Sequence, residues 1–204
     1  MFLRRNVLKA MMTRAYKGGG LRVRNDVTGL CICGAKWAVY FIHREMPKEV
    51  MGDLISLVGE LPDRHEAYTA DKNGNQMELY DDGWMSPMDM VPNRSLEELP
   101  LTVCHMVGIL RDVKTGDIVP VPDAYLHAID YGNLSDDEET PDGPFGDAVM
   151  IEGMFINAAC WQNNRMAFAI GDLRTDNAGI NMWLKELKKL PIFSEGENAE
   201  SEKA

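Results

Sequence analysis

Asn73-Gly74 constrains this chain more than any other pair of residues, because a two-residue β-hairpin loop needs positive φ at its centre and Asn-Gly accepts it with least strain. The flanks alternate to match. Pairing across that loop sets Tyr68 opposite Leu79 and Ala70 opposite Met77 on one face, with Thr69 opposite Glu78 and Asp71 opposite Gln76 on the other. Turn and pattern agree, so antiparallel pairing is built into the middle of the chain.

Other short apolar runs fit the same plan. Leu21 to Arg24, Leu30 to Cys33 and Trp37 to His43 are rich in β-branched and aromatic residues, and Gly29 and Gly34 punctuate them as strands. Leu101 to Leu110 is apolar on both faces and reads as one central strand. Lys114-Thr115-Gly116 then turns the chain into Ile118 to Val121, which Pro120 places at a sheet edge. Val149 to Trp161 and Met166 to Ile170 predict another hairpin about Asn163-Asn164. Ser95 to Glu98 fits a capping box for a short helical turn before Pro100, and Asp123 caps a short helix reaching Tyr131.

Helical periodicity is clear elsewhere. Val50, Met51, Leu54, Leu57, Val58 and Leu61 share one apolar face of a helix that opens at Pro47 and is closed by Gly59 and Pro62. Ile180, Trp183, Leu184 and Leu187 make one stripe over 177–190, which predicts a core position for Trp183. Leu3, Val7, Leu8, Met11 and Met12 recur at helical spacing in the opening segment until Gly18, Gly19 and Gly20 end it. The expected fold class is α+β: a single domain over 21–191, mainly antiparallel β-hairpins packed with two or three amphipathic helices. A basic amphipathic N-terminal arm (1–20) precedes it, and an acidic, disordered tail (192–204) follows.

Charge is segregated along this fold. Arg4, Arg5, Lys9, Arg14, Lys17, Arg22 and Arg24 give residues 1–25 a local +7 with no acid, and since the whole chain carries −11, the remainder carries −18. An Arg-rich, acid-free opening shares the composition of an organellar transit peptide, but it has no continuous apolar stretch of the secretory kind. No run of 18 apolar residues predicts a membrane-spanning helix, and four cysteines are too few for a disulfide framework at this length, so the reducing cytoplasm is the expected location.

Several residue groups carry possible chemistry. Cys31 and Cys33 fall on one face of a strand, but structural zinc sites use wider spacings in turns, so core packing is expected, with no metal and no cofactor. His127 has Asp123 four residues before it, an arrangement that can orient an imidazole as a general base. No nucleophile motif accompanies it, which argues against an enzyme. Asp71, Asn73 and Asn75 imitate a calcium loop that lacks its glycine. Lys17, Gly18, Gly19, Gly20, Arg22 and Arg24 put glycines between cations, as a phosphate cradle does, without a P-loop or Rossmann ending. Asp136, Asp137, Glu138, Glu139 and Asp142 form an acidic loop.

Three functions follow as expectations. The first is an acidic cytoplasmic protein-interaction or inhibitor module, whose acidic loop imitates nucleic acid and binds a basic site on a nucleic-acid-handling protein. The second is a small hydrolase or transferase acting on a phosphorylated ligand, with His127 as base and the 17–24 segment holding phosphate. The third is nucleic-acid binding through the basic N-terminal arm, led by Arg4, Arg5 and Lys9.

Overall fold

The computed structural model describes residues 1–79, 87–89, 93–132, 134–135, 137–151, 154–173, 178–187 and 189. The expected tail (192–204) and Asp136 lie outside the described residues. The chain runs α1 (Arg5–Gly18), β1 (Leu21–Asn25), β2 (Gly29–Gly34), β3 (Trp37–Ile42), α2 (Lys48–Val58), β4 (Glu66–Asp71) and β5 (Gly74–Glu78). It continues through β6 (Arg94–Val103), β7 (Val107–Asp112), β8 (Ile118–Pro122), α3 (Asp123–Leu126), β9 (Asp142–Ile151), β10 (Met154–Gln162), β11 (Met166–Gly171) and α4 (Ala178–Leu187). Among the described residues the strands form one antiparallel sheet of eleven in the order β5-β4-β1-β2-β3-β11-β10-β9-β6-β7-β8, so the fold is α+β.

The middle strands β2, β3 and β11 are buried on both faces, as their nearly unbroken apolar sequences require. One face carries Leu30, Ile32, Trp37, Phe41, Phe168 and Ile170 and is covered by Leu8, Met11 and Met12 of α1 and by Val50, Leu54 and Val58 of α2. The sheet curls so that Leu110, Val119 and Val121 of β7 and β8 join that same core. The backbone N–H of Leu173, just past β11, donates to the Pro120 carbonyl on β8 at 2.7 Å. The opposite face is lined by smaller residues, Cys31, Cys33, Ala38, Ala158, Cys160 and Ala169, beside Tyr40 and Phe145.

The opening segment does not hang free as an arm. Phe2 and Leu3 are wholly buried, Leu3 bridges to Ile129, and the Arg4 N–H donates to the Ala128 carbonyl at 2.7 Å. The three-residue and four-residue spacing of Leu8, Met11 and Met12 seats α1 on the sheet, and Gly20 lets the chain turn sharply into β1. Gly20 has φ +117°, and a Cβ there would meet Thr69 Cγ2 at 2.3 Å, so the third glycine is needed for close packing against β4.

Four expectations along the strands need correction. The 66–78 hairpin has the expected faces, but its loop sits one residue earlier, at Lys72-Asn73, and each pair is shifted by two residues: Tyr68 pairs with Met77 and Asp71 with Gly74. Only Gly74 has positive φ, +112°, and Asp71 Oδ1 accepts from the Asn73 N–H at 2.6 Å. Ser95 to Glu98 is strand rather than helix, because β6 finds ladder partners in both β7 and β9, and the register shift between Leu99 and Thr102 falls around Pro100, which has no N–H to give. Leu101 to Leu110 is two strands, broken at Cys104 and His105, which both take positive φ (+53° and +54°). The 149–161 stretch likewise holds parts of two strands, β9 and β10, and it is β10 that pairs with β11 around Asn163-Asn164.

The helix expected from 47 to 59 is α2, opened after Pro47 and closed by Gly59 at φ +85°. The helix expected to run from Asp123 to Tyr131 stops at Leu126, because Ile129 is held in the bridge to Leu3. On α4, Leu184 and Leu187 pack against Val107, Ile109 and Ile118, whereas Trp183 is 52% exposed and is not a core anchor. Among the described residues no helix is long and apolar enough to cross a membrane.

Candidate phosphate-binding surface

The cations of the opening segment are sorted by the fold onto different surfaces. Because Leu21 and Val23 point into the helix-covered core, Arg22 and Arg24 of β1 lie on the other face of the sheet. Each has a carboxylate there: Arg22 pairs with Glu78, and Arg24, buried beside Cys31 in the ladder, pairs with Asp26 at 3.4 Å. Lys17, Gly18 and Gly19 are exposed at the end of α1, on the helix layer, and Gly20 is packed on Thr69. The six residues of the expected cradle therefore occupy two sides of the sheet.

The exposed arc of α1 gathers four of the cations as two pairs, Arg5 with Lys9 and Arg14 with Lys17. Burial of Leu8, Met11 and Met12 turns Arg5, Lys9, Arg14 and Lys17 toward solvent. From Arg5 to Lys17 the helix rises roughly 18 Å, about the axial length of five base pairs. Arg5 Nε and Lys9 Nζ both donate to the buried carboxylate of Asp53 on α2, at 2.8 and 2.7 Å. These two hydrogen bonds, Arg5's first, pull the Asp53 carboxyl down to about 2 despite the opposing effect of burial. Arg4 pairs more loosely with Asp130 at 3.4 Å. Arg14 and Lys17 have no carboxylate partner among the described residues. Beside Arg14 a groove of about 100 Å³ runs between α1 and α3, lined by Val7, Ala10, Met11, Arg14, Ala124 and Tyr125.

No protein-family model, curated protein or solved structure matches this chain. Its functional reading rests on geometry.

The acidic loop is partly turned inward. Glu138 is only 8% exposed; it accepts from the Met1 amino group and, at 3.2 Å, from Asn163 Nδ2. Burial works to raise its carboxyl, but those two hydrogen bonds prevail and hold it below the ordinary value. Asp137 is exposed and paired with Arg165, which also holds its carboxyl low. Glu139 and Asp142 are exposed. Of the acidic residues proposed for a partner, Glu138 is thus committed to the fold, and Glu139 and Asp142 present open carboxylates.

His127 is exposed, with Asp123 Oδ2 at 3.1 Å from its Nε2. Neither residue lines the α1–α3 groove. Cys31 and Cys33 bring their sulfurs within 3.4 Å in the buried face of β2, where burial, followed by the hydrogen bond to Cys33, pushes the Cys31 thiol up. Cys160 belongs to the same apolar cluster, and Cys104 sits exposed in the β6–β7 turn. No group of three or more His, Cys, Asp or Glu that could hold a metal ion occurs among the described residues.

Proposed function

We propose that this chain is an interaction protein that binds a phosphate-bearing polymer, nucleic acid foremost, along the outward face of α1. What supports the reading is the exposed arc of α1: Arg14 and Lys17, three residues apart, share one side of the helix free of carboxylates among the described residues, and Arg5 and Lys9 share the side next to Asp53 of α2. A rigid helix presents these cations at fixed spacing, so less ordering entropy is lost on binding than with a flexible arm. The strongly acidic remainder of the chain repels polyanions elsewhere and confines contact to this face.

The test is a mobility-shift and anisotropy titration with DNA at two salt concentrations. Arg14→Gln and Lys17→Gln should each weaken binding and flatten the slope of log affinity against log salt, by about 0.7–0.9 per lost contact. Binding that ignores both substitutions would place the nucleic acid elsewhere; absence of binding at low salt would remove the function.

The acidic-interaction reading remains as a second proposal, favoured by the exposure of Glu139 and Asp142 and the −18 carried beyond residue 25. It makes a basic protein the partner, and Glu139→Gln with Asp142→Asn should weaken that complex and its salt dependence.

A further inference from the structure

We propose that the groove between α1 and α3 is a base-binding subsite, so that the polymer held by α1 is single-stranded nucleic acid. The inference rests on the polyanion reading of α1 and adds which form of nucleic acid that helix takes. The groove combines three features. Its floor and near wall are apolar: Val7, Ala10 and Met11 on α1 and Ala124 on α3. Its aromatic side is Tyr125, whose hydroxyl donates to the Ala35 carbonyl at 3.2 Å, so the ring is held in place before any ligand arrives. Its rim carries Arg14, with Lys17 three residues further along the helix.

An apolar slot with a fixed aromatic side and a cation at its edge fits a flat ring joined to an anionic linkage, as in a nucleotide. At about 100 Å³ the groove is well below the roughly 300–1,000 Å³ of sites that enclose a whole small molecule, which suits one ring offered by a longer chain. The acidic residue of α3, Asp123, is not among the residues that line the groove and is hydrogen-bonded to His127 at 3.1 Å. A duplex keeps its bases stacked and paired and cannot place one here without flipping it out, whereas a single strand offers its bases freely.

The experiment compares three fluorescent probes of equal length by anisotropy at two salt concentrations: oligo-dT, an abasic strand with the same phosphates, and a duplex. Oligo-dT should bind about tenfold more tightly than the abasic strand, the contribution of one stacked base. Ala10→Trp, at an exposed position, should fill the groove and erase that difference while leaving the salt slope unchanged. Ala124→Trp should do the same from the α3 side, and circular dichroism should show both variants folded. Arg14→Gln should lower the slope for all three probes.

Equal binding of oligo-dT, abasic strand and duplex would overturn the subsite while leaving the polyanion reading of α1 intact. A dT preference untouched by both tryptophan variants would overturn it as well. Absence of binding by every probe at low salt would overturn both readings together. Capture of an acidic, aromatic-bearing peptide in place of oligo-dT, sensitive to Ala10→Trp, would make the groove a peptide site and overturn the nucleic-acid assignment.

Discussion

Asp53 accepts from both Arg5 and Lys9 while lying almost wholly out of solvent, so a single carboxylate governs two of the four exposed cations of α1. With its carboxyl at about 2 against an ordinary 3.8, it stabilises the fold fully above the ordinary value, and that contribution is lost as pH falls through the folded one. Thermal melts across pH should therefore show Asp53→Asn less stable than the parent at neutral pH, with the gap closing between about pH 4 and pH 2. The same substitution releases Arg5 and Lys9, so oligonucleotide affinity should rise and its salt slope steepen even as stability falls. Unchanged binding by Asp53→Asn would mean those two cations do not touch the polymer. A second carboxylate separates scaffold from surface. Glu138→Ala takes the carboxylate from the Met1 amino group and leaves one of the two Asn163 Nδ2 hydrogens unpaired, the other still going to the Glu139 carbonyl at 2.9 Å, and should cost roughly 1–3 kcal/mol by urea denaturation, whereas Glu139→Ala, exposed, should stay within about 0.5 kcal/mol.

At the scale of elements, α4 behaves as a helix that packs through two leucines and leaves its tryptophan outside. Trp183→Ala should cost about 1 kcal/mol or less, and Leu184→Ala should cost more, since Leu184 meets Val107, Ile109 and Ile118. Chemical denaturation of the two variants side by side checks the order. Gly74→Val in the β4–β5 turn should cost about 1 kcal/mol from backbone strain alone, because its φ is +112° and a side chain there meets nothing within 4 Å. Strands were legible in the sequence where composition and punctuation agreed, as at Leu30 to Cys33 between its glycines, and α2 was legible from one apolar stripe closed by Gly59. The β6–β7 turn was not, because Cys104 and His105 take positive φ without the Gly, Asn or Asp that announces it. The stripe through Trp183 named the right helix and the wrong side chain, since periodicity says which residues share a face and not how deep the partner surface reaches. The cations of the site were visible as residues; their division between helix layer and opposite sheet face followed from the alternation of Leu21, Arg22, Val23 and Arg24 once β1 was placed against α1.

Over the whole molecule, the sheet joins distant stretches of chain at its middle. β3 pairs with β11, residues 37–41 against 166–170, and Trp37 and Trp161 share one core. Tryptophan fluorescence and far-ultraviolet circular dichroism should therefore report one coincident urea transition; two separated transitions would show that the 1–79 segment holds together alone. The pairing also sets an order of events while the protein is being made. When β3 leaves the ribosome, its neighbour on one side, β2, is already present, but the strand for its other side lies about 125 residues further along the message, roughly 6–25 s away at 5–20 residues per second. Through that interval the growing chain carries an open, apolar strand edge, Trp37 to Ile42, as its foremost aggregation risk, and a chaperone that recognises extended apolar segments would be needed there first.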